Sequence, residues 1–334
     1  MVTASEGGEV GTPARLAASG GTPRETAEPW SNLNLPMSQS AHEYVAEAAV
    51  HTIPRRFVAL ALVVVAVLLV GALVLIRISK SPPGMASTEV FVPAPASLIA
   101  TVGHVPNAVS NTVGVTSPSI PTTPLTPTGN PSLWQAPTHG VVALPVVFFY
   151  GAEFAPYAAA ERWPVVVALS RFGTFTQLGL VQSSTSVAFP GIQSFTFWHV
   201  SYSSSWLNLL AVERYGSQDP TGGGYATLEK PDQREAASVA AYDTSATTFP
   251  LLDVANHYVL VGSSFAPSVL QGLTQAQIAG ALAVPTNPVT EAVLAAANEI
   301  TAAICSVTGQ RPATVCGSRG VADADVKMGL TTSH

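Results

Sequence analysis

Cysteine is scarce in this chain. Two cysteines occur among 334 residues, Cys305 and Cys316, and they lie near the C-terminus. An even pair suits an oxidising compartment, where disulfides persist. We expect a structural disulfide across the intervening "GQRP" turn, because catalytic cysteine pairs usually lie much closer together in the sequence. A redox-active Cys305–Cys316 pair is the alternative, and its reduction potential would separate the two interpretations.

Charged residues are also few, at 10% of the chain with a net charge of -6. No stripe of lysine and arginine is present to meet phosphates, which argues against a nucleic-acid partner. The seven histidines are scattered, and none lies at metal-ligand spacing from Cys, Asp or Glu, so we expect no metal site and no cofactor. The sequence also lacks a Gly-x-Ser-x-Gly elbow and a phosphate-binding loop with lysine, which argues against those two enzyme classes.

One long apolar run stands out against this background. Phe57–Ile76 contains 20 residues without a charge, with Arg55 and Arg56 before it and Arg77 and Lys80 after it. A helix of this length spans a hydrocarbon core of about 30 Å. More than fifty residues precede the run and no small-residue cleavage site follows it. We therefore expect an uncleaved signal anchor, with the lipid bilayer as a partner through residues 57–76.

The basic residues flanking this anchor are two on each side, so they do not set its orientation. The Pro/Thr-rich stretch and the cysteine pair both follow the anchor, which favours an extracytoplasmic C-terminal part. We expect a single-pass cell-membrane protein with a cytoplasmic N-terminus. The expected segments are a disordered cytoplasmic tail (1–53), the transmembrane signal anchor (54–78), a Pro/Ser/Thr-rich linker (79–138), a folded domain (139–317) and a C-terminal tail (318–334).

The linker is rich in proline, with "SPPG", "VPAP" and "SPSIPTTPLTPTGNPS". Proline fixes the backbone and removes a hydrogen-bond donor, so regular helix and sheet are both unfavourable there. We expect an extended, semi-rigid spacer that holds the domain off the membrane. Its middle part, "ASLIATVGHVPNAVSNTVGV", is more apolar and is a candidate to pack against the domain.

The folded domain is expected to be α/β. Apolar and β-branched runs predict strands, proline and polar caps predict helix starts, and Ala255-Asn256-His257 predicts the turn of a hairpin. His199 lies in an aromatic strand and is expected to be packed and hydrogen-bonded. The predicted elements are strands in 141–150, 193–202 and 206–216, a helix from Pro156 to Gly173, a helix in 232–243, a hairpin in 248–262, and helices that start at the capping box of Thr274 and at the cap Asn287.

The stretch "EFAPYAAAERW" joins the first strand to the first helix. A strand, a short turn, a helix and later a hairpin preceded by Phe-Pro resemble a thioredoxin-type fold, in which a Cys-x-x-Cys turn opens the first helix beside a cis-proline. The resemblance places Ala155 and Ala158 at the two cysteine positions, with Pro156 and Tyr157 between them. It places Pro250, after Phe249, at the cis-proline position.

Several stretches resemble one family more closely, the membrane-anchored archaeal and bacterial proteins catalogued as domain of unknown function 929. These stretches include "YGAEFAPYAAAERW", "VVALSRFG", "FPLLDVANHYV" and "ANEITAAICSVTGQRPATVC". The resemblance covers roughly residues 140–317. It implies a thioredoxin-like fold with extra C-terminal helices, preceded by one transmembrane helix and a linker. The family has no established activity.

The residues at the turn decide which chemistry is lost. A thiolate is the nucleophile in thiol–disulfide exchange, and alanine has no sulfur to form the mixed disulfide. With Ala155 and Ala158 at both positions, we expect a degenerate, redox-inactive site and not an enzyme. A carboxyl group near the turn can transfer protons to and from a thiol, and without a thiol Glu153 has no such role. Glu161 is expected to anchor the helix.

What would survive at such a turn is its geometry. A cis-proline edge at Phe249 and Pro250 would bind an extended polypeptide by adding a strand. A decayed site on a stable scaffold is an open alternative. So are an oxidoreductase that acts through Cys305 and Cys316, and a structural envelope protein in which the anchor and spacer matter more than the domain.

Overall fold

The computed structural model describes residues 89–115, 120–130, 132–138, 142–219, 224–243 and 248–330. All of these residues belong to one compact unit of the chain. The expected cytoplasmic tail (1–53) and the expected anchor (57–76) lie outside the described residues.

The described unit mixes strands and helices, as expected for an α/β domain. Its strands are β1 (Val92–Pro93), β2 (Thr126–Pro127), β3 (Gln135–Thr138), β4 (Val142–Gly151), β5 (Gly173–Gln182), β6 (Gln193–Ser204), β7 (Asn208–Glu213), β8 (Leu251–Val254) and β9 (Tyr258–Val261). Its helices are α1 (Ala96–Gly103), α2 (Asn107–Val113), α3 (Pro156–Ser170), α4 (Gln233–Tyr242), α5 (Gln275–Ala281), α6 (Pro288–Val307), α7 (Ala313–Cys316) and α8 (Arg319–Met328), with a 3-10 helix at Pro267–Leu270.

The central sheet is built around β4. This strand pairs in parallel with β7 on one side and antiparallel with β8 on the other, and β9 and β2 continue the sheet beyond β8. The first half of β4 also pairs with β3. Residues 146–150 of β4 are all buried, which explains why the sequence reads there as a continuous apolar run.

A second sheet contains β1, β5 and β6 in that order among the described residues. Strands β5 and β6 form a long antiparallel hairpin whose register shifts around Gln177. Gly179 makes room for the segment before β1, because a Cβ atom there would lie 2.6 Å from the Phe91 ring. Phe91 is thereby seated over β5. Strand β5 was not among the predicted elements.

Helices α3 and α6 are the two most buried helices, and they pack against each other. The predicted starts are confirmed. Pro156 opens α3, and the side chain of Asn287 accepts a hydrogen bond from the Val289 amide at 2.9 Å at the start of α6. The capping box from Thr274 is also present at α5. Within the described residues, α6 is long and apolar enough to cross a membrane, but 89% of its apolar 18-residue window is buried inside the domain, as in a core helix.

Residues 89–138 differ from the expected spacer. They contain α1 and α2, whose residues Val102, Val109 and Val113 are buried against the domain. The prolines did not prevent these helices because Pro95 and Pro106 stand at their N-cap positions, where no intrahelical donor is lost. Only the expectation that the apolar middle packs against the domain agrees with this arrangement.

The segment after residue 317 also differs from the expected tail. It forms α8, which packs against α6 and buries Val321 and Ala324. Lys327 of α8 donates to the buried Glu299 carboxylate of α6 at 2.5 Å. The sequence pattern was missed because the helix is short and has only a few apolar residues on one face.

Candidate functional site at the alanine turn

The alanine turn lies where the chain passes from β4 into α3. Ala155 is the N-cap residue of α3, and its amide bonds back to the Ala152 carbonyl at 3.2 Å. Ala155 is 6% exposed and Ala158 is fully buried, whereas Tyr157 is 43% exposed. The turn therefore presents an aromatic ring to the surface and turns both alanine side chains inward.

The Phe249–Pro250 peptide bond is cis, and it leads directly into β8. The Phe249 ring lies 5.9 Å from the ring of Phe154, the residue before the turn, and 5.3 Å from that of Tyr150. The Pro250 carbonyl accepts a hydrogen bond from the Gly262 amide at 2.7 Å. The fold thus brings together the two segments that the sequence resemblance pairs.

Two loops hold the main chain on both sides of the turn. The Glu153 amide donates to the Tyr215 carbonyl at 2.8 Å, and the Ser184 amide donates to the Phe154 carbonyl at 3.1 Å. The ring of Tyr225 stacks on Phe154 with centroids 4.1 Å apart, and its hydroxyl contacts the Ser184 hydroxyl at 2.8 Å. These contacts give the site an aromatic wall that sequence patterns did not reveal.

Glu153 lies beneath the turn with only 3% of its surface exposed. The Thr196 hydroxyl donates to its carboxyl group at 2.5 Å. Burial, together with the smaller effect of the nearby Glu213 carboxylate, raises the pKa of Glu153 to about 7. A carboxyl group in this setting changes charge near neutral pH, unlike an exposed glutamate.

A buried ion pair supports the same region. Arg162 of α3 donates to both carboxylate oxygens of Glu213 at the end of β7, at 2.8 and 2.6 Å, and both side chains are fully buried. Glu213 also accepts from the Phe197 amide. The third guanidinium nitrogen of Arg162, Nη1, has no hydrogen-bond partner among the described residues. The signal that sequence reasoning missed was a glutamate at the end of a buried parallel strand.

Glu161 lies on α3 and is fully buried. The amide and hydroxyl of Ser264 both donate to its carboxyl group, at 2.6 and 2.9 Å, which ties α3 to the segment after β9. This is the anchoring role expected for Glu161. Burial raises its pKa to about 8, against the lowering effect of the Ser264 hydrogen bonds.

The cysteines and histidines lie on other elements. Cys305 of α6 and Cys316 of α7 have their sulfur atoms 1.98 Å apart, at disulfide distance as predicted, and both side chains are buried. His257 lies in the hairpin turn as predicted. His199 was expected to be packed, and its ring does contact those of Phe91 and Trp198, but the residue is exposed, with a φ of 57° where the register of β6 shifts. In the described ranges, no three His, Cys, Asp or Glu side chains are grouped to hold a metal.

Residues 142–222 match a known family model. Its description is Domain of unknown function (DUF929). No curated protein and no solved structure matches the chain.

The DUF929 match begins with β4 and ends after β7. It therefore contains the alanine turn, Glu153, the ion pair of Arg162 with Glu213, and Thr196. Phe249 and Pro250 lie outside it, as do the two cysteines. The match thus covers the first part of the stretch over which the sequence resembles this family.

Proposed function

We propose that this chain is a membrane-anchored, extracytoplasmic protein of thioredoxin-like fold that binds an extended polypeptide and does not exchange disulfides at its turn. The order of parts supports the fold assignment. A strand, a turn and a helix are followed later by a hairpin that is entered through a cis X-Pro bond. The anchor at residues 57–76 and the disulfide-forming pair support a location at the cell surface.

One observation carries the proposal. The sulfur-free turn lies beside the cis-proline segment, since the rings of Phe154 and Phe249 are 5.9 Å apart. The two alanines remove the nucleophile but leave the surface between these segments intact. Thr248 and Phe249 precede the first pair of the β8–β9 ladder, Leu251 with Val261, so their backbone lies outside the paired part of β8, and this is where the proposal places the bound segment.

The side chains indicate which polypeptide would fit. The exposed ring of Tyr157 packs edge-on against Phe189, and Val261 is 41% exposed at the end of β9. None of these groups carries a charge. A segment with apolar or aromatic side chains complements this surface better than a charged one, because burying a charge without a partner is costly.

Photo-crosslinking tests the proposal on the full chain in lipid nanodiscs. A library of extended peptides carrying a photoreactive residue is added, and crosslinked sites are mapped by mass spectrometry. The proposal expects crosslinks at residues 154–157 and 248–250, with capture reduced in Tyr157→Ala. Val326→Ala, which trims an exposed valine on α8, is the matched control and should keep full capture. Crosslinks spread evenly over the surface would overturn the proposal.

A second function, thiol–disulfide exchange through Cys305 and Cys316, has less support. Cys305 is fully buried and Cys316 is 5% exposed, whereas exchange requires that a thiolate reach a disulfide sulfur. A bridge of this kind is expected to resist reduction.

A further inference from the structure

The buried carboxyl group of Glu153 has an unusual set of neighbours. Thr196 of β6 donates to it, Glu213 of β7 and Arg162 of α3 lie close by, and Glu89, before β1, is a more distant negative charge. Arg162 binds Glu213 through two of its nitrogens. One cation therefore serves two buried acids, and its bidentate partner is Glu213.

A neutral Glu153 fits these contacts. The Thr196 hydroxyl uses its proton on Glu153 and uses a lone pair to accept from the Trp198 amide at 3.1 Å. A protonated carboxyl group needs no cation, so it can remain buried at low cost. An ionised Glu153 would place a second negative charge beside Glu213, and the neutral hydroxyl of Thr196 would be a weak counterpart for it.

The structure also contains a donor suited to the ionised form. Nη1 of Arg162 is buried and has no hydrogen-bond partner among the described residues, although a buried guanidinium N–H normally has one. Charge-assisted hydrogen bonds from a guanidinium to a carboxylate are about twice as strong as neutral ones. The same arginine would then bridge Glu213 and Glu153.

We propose that Glu153 is a proton-operated switch beneath the alanine turn: the neutral side chain stays on Thr196, and the ionised side chain turns to Nη1 of Arg162. Glu153 is two residues before Ala155, and its amide is tied to the Tyr215 carbonyl. A change at this side chain therefore takes place next to the start of α3 and next to the loop that carries Tyr215. An acidic exterior and a neutral one would present the turn in two forms.

The switch does not depend on the proposed function, but its effect on peptide capture does. Because burial places the pKa of Glu153 near 7, the change of form is expected around neutral pH. Glu161 is a second buried acid on the same helix, with a pKa near 8 and its contacts on Ser264. It provides a matched control, since it titrates in the same domain while its carboxyl group is bound by Ser264 and that of Glu213 is bound by Arg162.

The test uses the full chain in detergent micelles between about pH 5 and pH 9. Infrared difference spectra follow the carbonyl stretch of protonated carboxyl groups, and NMR follows the Arg162 side-chain nitrogens. We expect a carboxyl band that disappears with a midpoint near pH 7, with the Arg162 signals shifting at the same midpoint. Glu153→Gln should abolish both changes, and Glu161→Gln should leave both in place. A Glu153 band that titrates while the Arg162 signals stay fixed would overturn the switch, as would the absence of such a band.

Peptide capture at the two ends of this pH range separates the switch from the proposed function. If both hold, capture differs across pH 7 in the native chain and stays constant in Glu153→Gln. If no peptide is captured at any pH while the spectroscopic changes persist, the proposed function fails and the switch stands. If capture occurs and is equally strong at both ends of the range, the coupling of the switch to the turn is refuted.

Discussion

Two helix ends in this protein differ in whether they contain cysteine. At the start of α3, where the resemblance expects a pair of cysteines, Ala155 and Ala158 face inward without any reactive group. At the end of α6, both cysteines of the chain are joined in a buried cross-link to α7. Sulfur thus joins the long buried helix α6 to the short helix α7, and it is absent from the turn that opens α3.

The two ends also differ in what holds them. The α6 end is closed by a covalent bond between residues 11 positions apart. The α3 start rests on side-chain contacts, namely the Arg162–Glu213 ion pair below it and the hydrogen bonds of Glu153 and Glu161 beside it. The comparison teaches that the start of α3 is supported without sulfur, because an ion pair and hydrogen bonds to buried carboxyl groups hold it.

Breaking the ion pair should have the largest effect. Arg162→Met leaves the buried Glu213 carboxylate without its cation, which typically costs about 3–5 kcal/mol of unfolding free energy. Chemical denaturation of the full chain measures it. The double variant Arg162→Met with Glu213→Leu removes both charges and should recover much of the loss. If the single variant is as stable as the native chain, the electrostatic support of the turn is refuted.

Removing the cross-link should have the next largest effect. Replacing both Cys305 and Cys316 by alanine frees the unfolded chain and should cost on the order of 3 kcal/mol. Denaturation of the native chain with and without reductant, beside the double variant, measures it. The reductant should have no further effect on the double variant. An unchanged stability would show that α7 and α8 hold the end of α6 without the bridge.

Glu161 links the two regions, since it lies on α3 and its charge is close to that of Glu299 on α6. Its pKa is raised in the folded chain, so the folded state binds a proton that the unfolded state releases between about pH 4.5 and 8. Stability should therefore fall as pH rises through this window, by at most about 1.4 kcal/mol per pH unit for one proton.

Denaturation curves across that window, for the native chain and for Glu161→Gln, check this expectation. In the glutamine variant, the unfolding free energy should fall less steeply with pH, by an amount that corresponds to up to one proton. Glu153→Gln is the control for the second buried acid, whose contribution ends near pH 7. Parallel slopes for the native chain and Glu161→Gln would contradict the account of Glu161.

The smallest effect on stability is expected at the surface of the turn. Tyr157 is 43% exposed, so Tyr157→Ala should change the unfolding free energy by less than about 0.5 kcal/mol. Peptide capture should nevertheless fall in the crosslinking assay. If Tyr157→Ala lowered the unfolding free energy as much as Arg162→Met does, Tyr157 would be a structural residue.

The sequence predicted the elements that follow simple rules. The continuous apolar run of β4, the proline that opens α3, the hairpin turn at Ala255 and Asn256, and the capped start of α6 all carry local signals, and the structure has each of them. These signals act over a few residues, because a cap or a turn is satisfied by its own backbone.

The rest depends on contacts between distant residues. Strand β5 alternates weakly and gains its place from β6 and from Phe91 over Gly179. Helices α1 and α2 form in a proline-rich stretch because α2 docks on α6, where Asn298 bonds to the Ser110 and Gly114 carbonyls. The group of Glu153, Thr196, Arg162 and Glu213 joins a turn, two strands and a helix. No spacing in the sequence indicates that they meet.

The most direct test of the central claim is an insulin-reduction assay on the full chain beside the variant Ala155→Cys with Ala158→Cys. A Cys305→Ser/Cys316→Ser variant serves as the control for the native bridge. The account predicts that the native chain does not reduce insulin and that the variant with two cysteines at the turn does. Turnover by the native chain that disappears in the Cys305→Ser/Cys316→Ser variant would contradict the account, because it would place redox chemistry at the bridge.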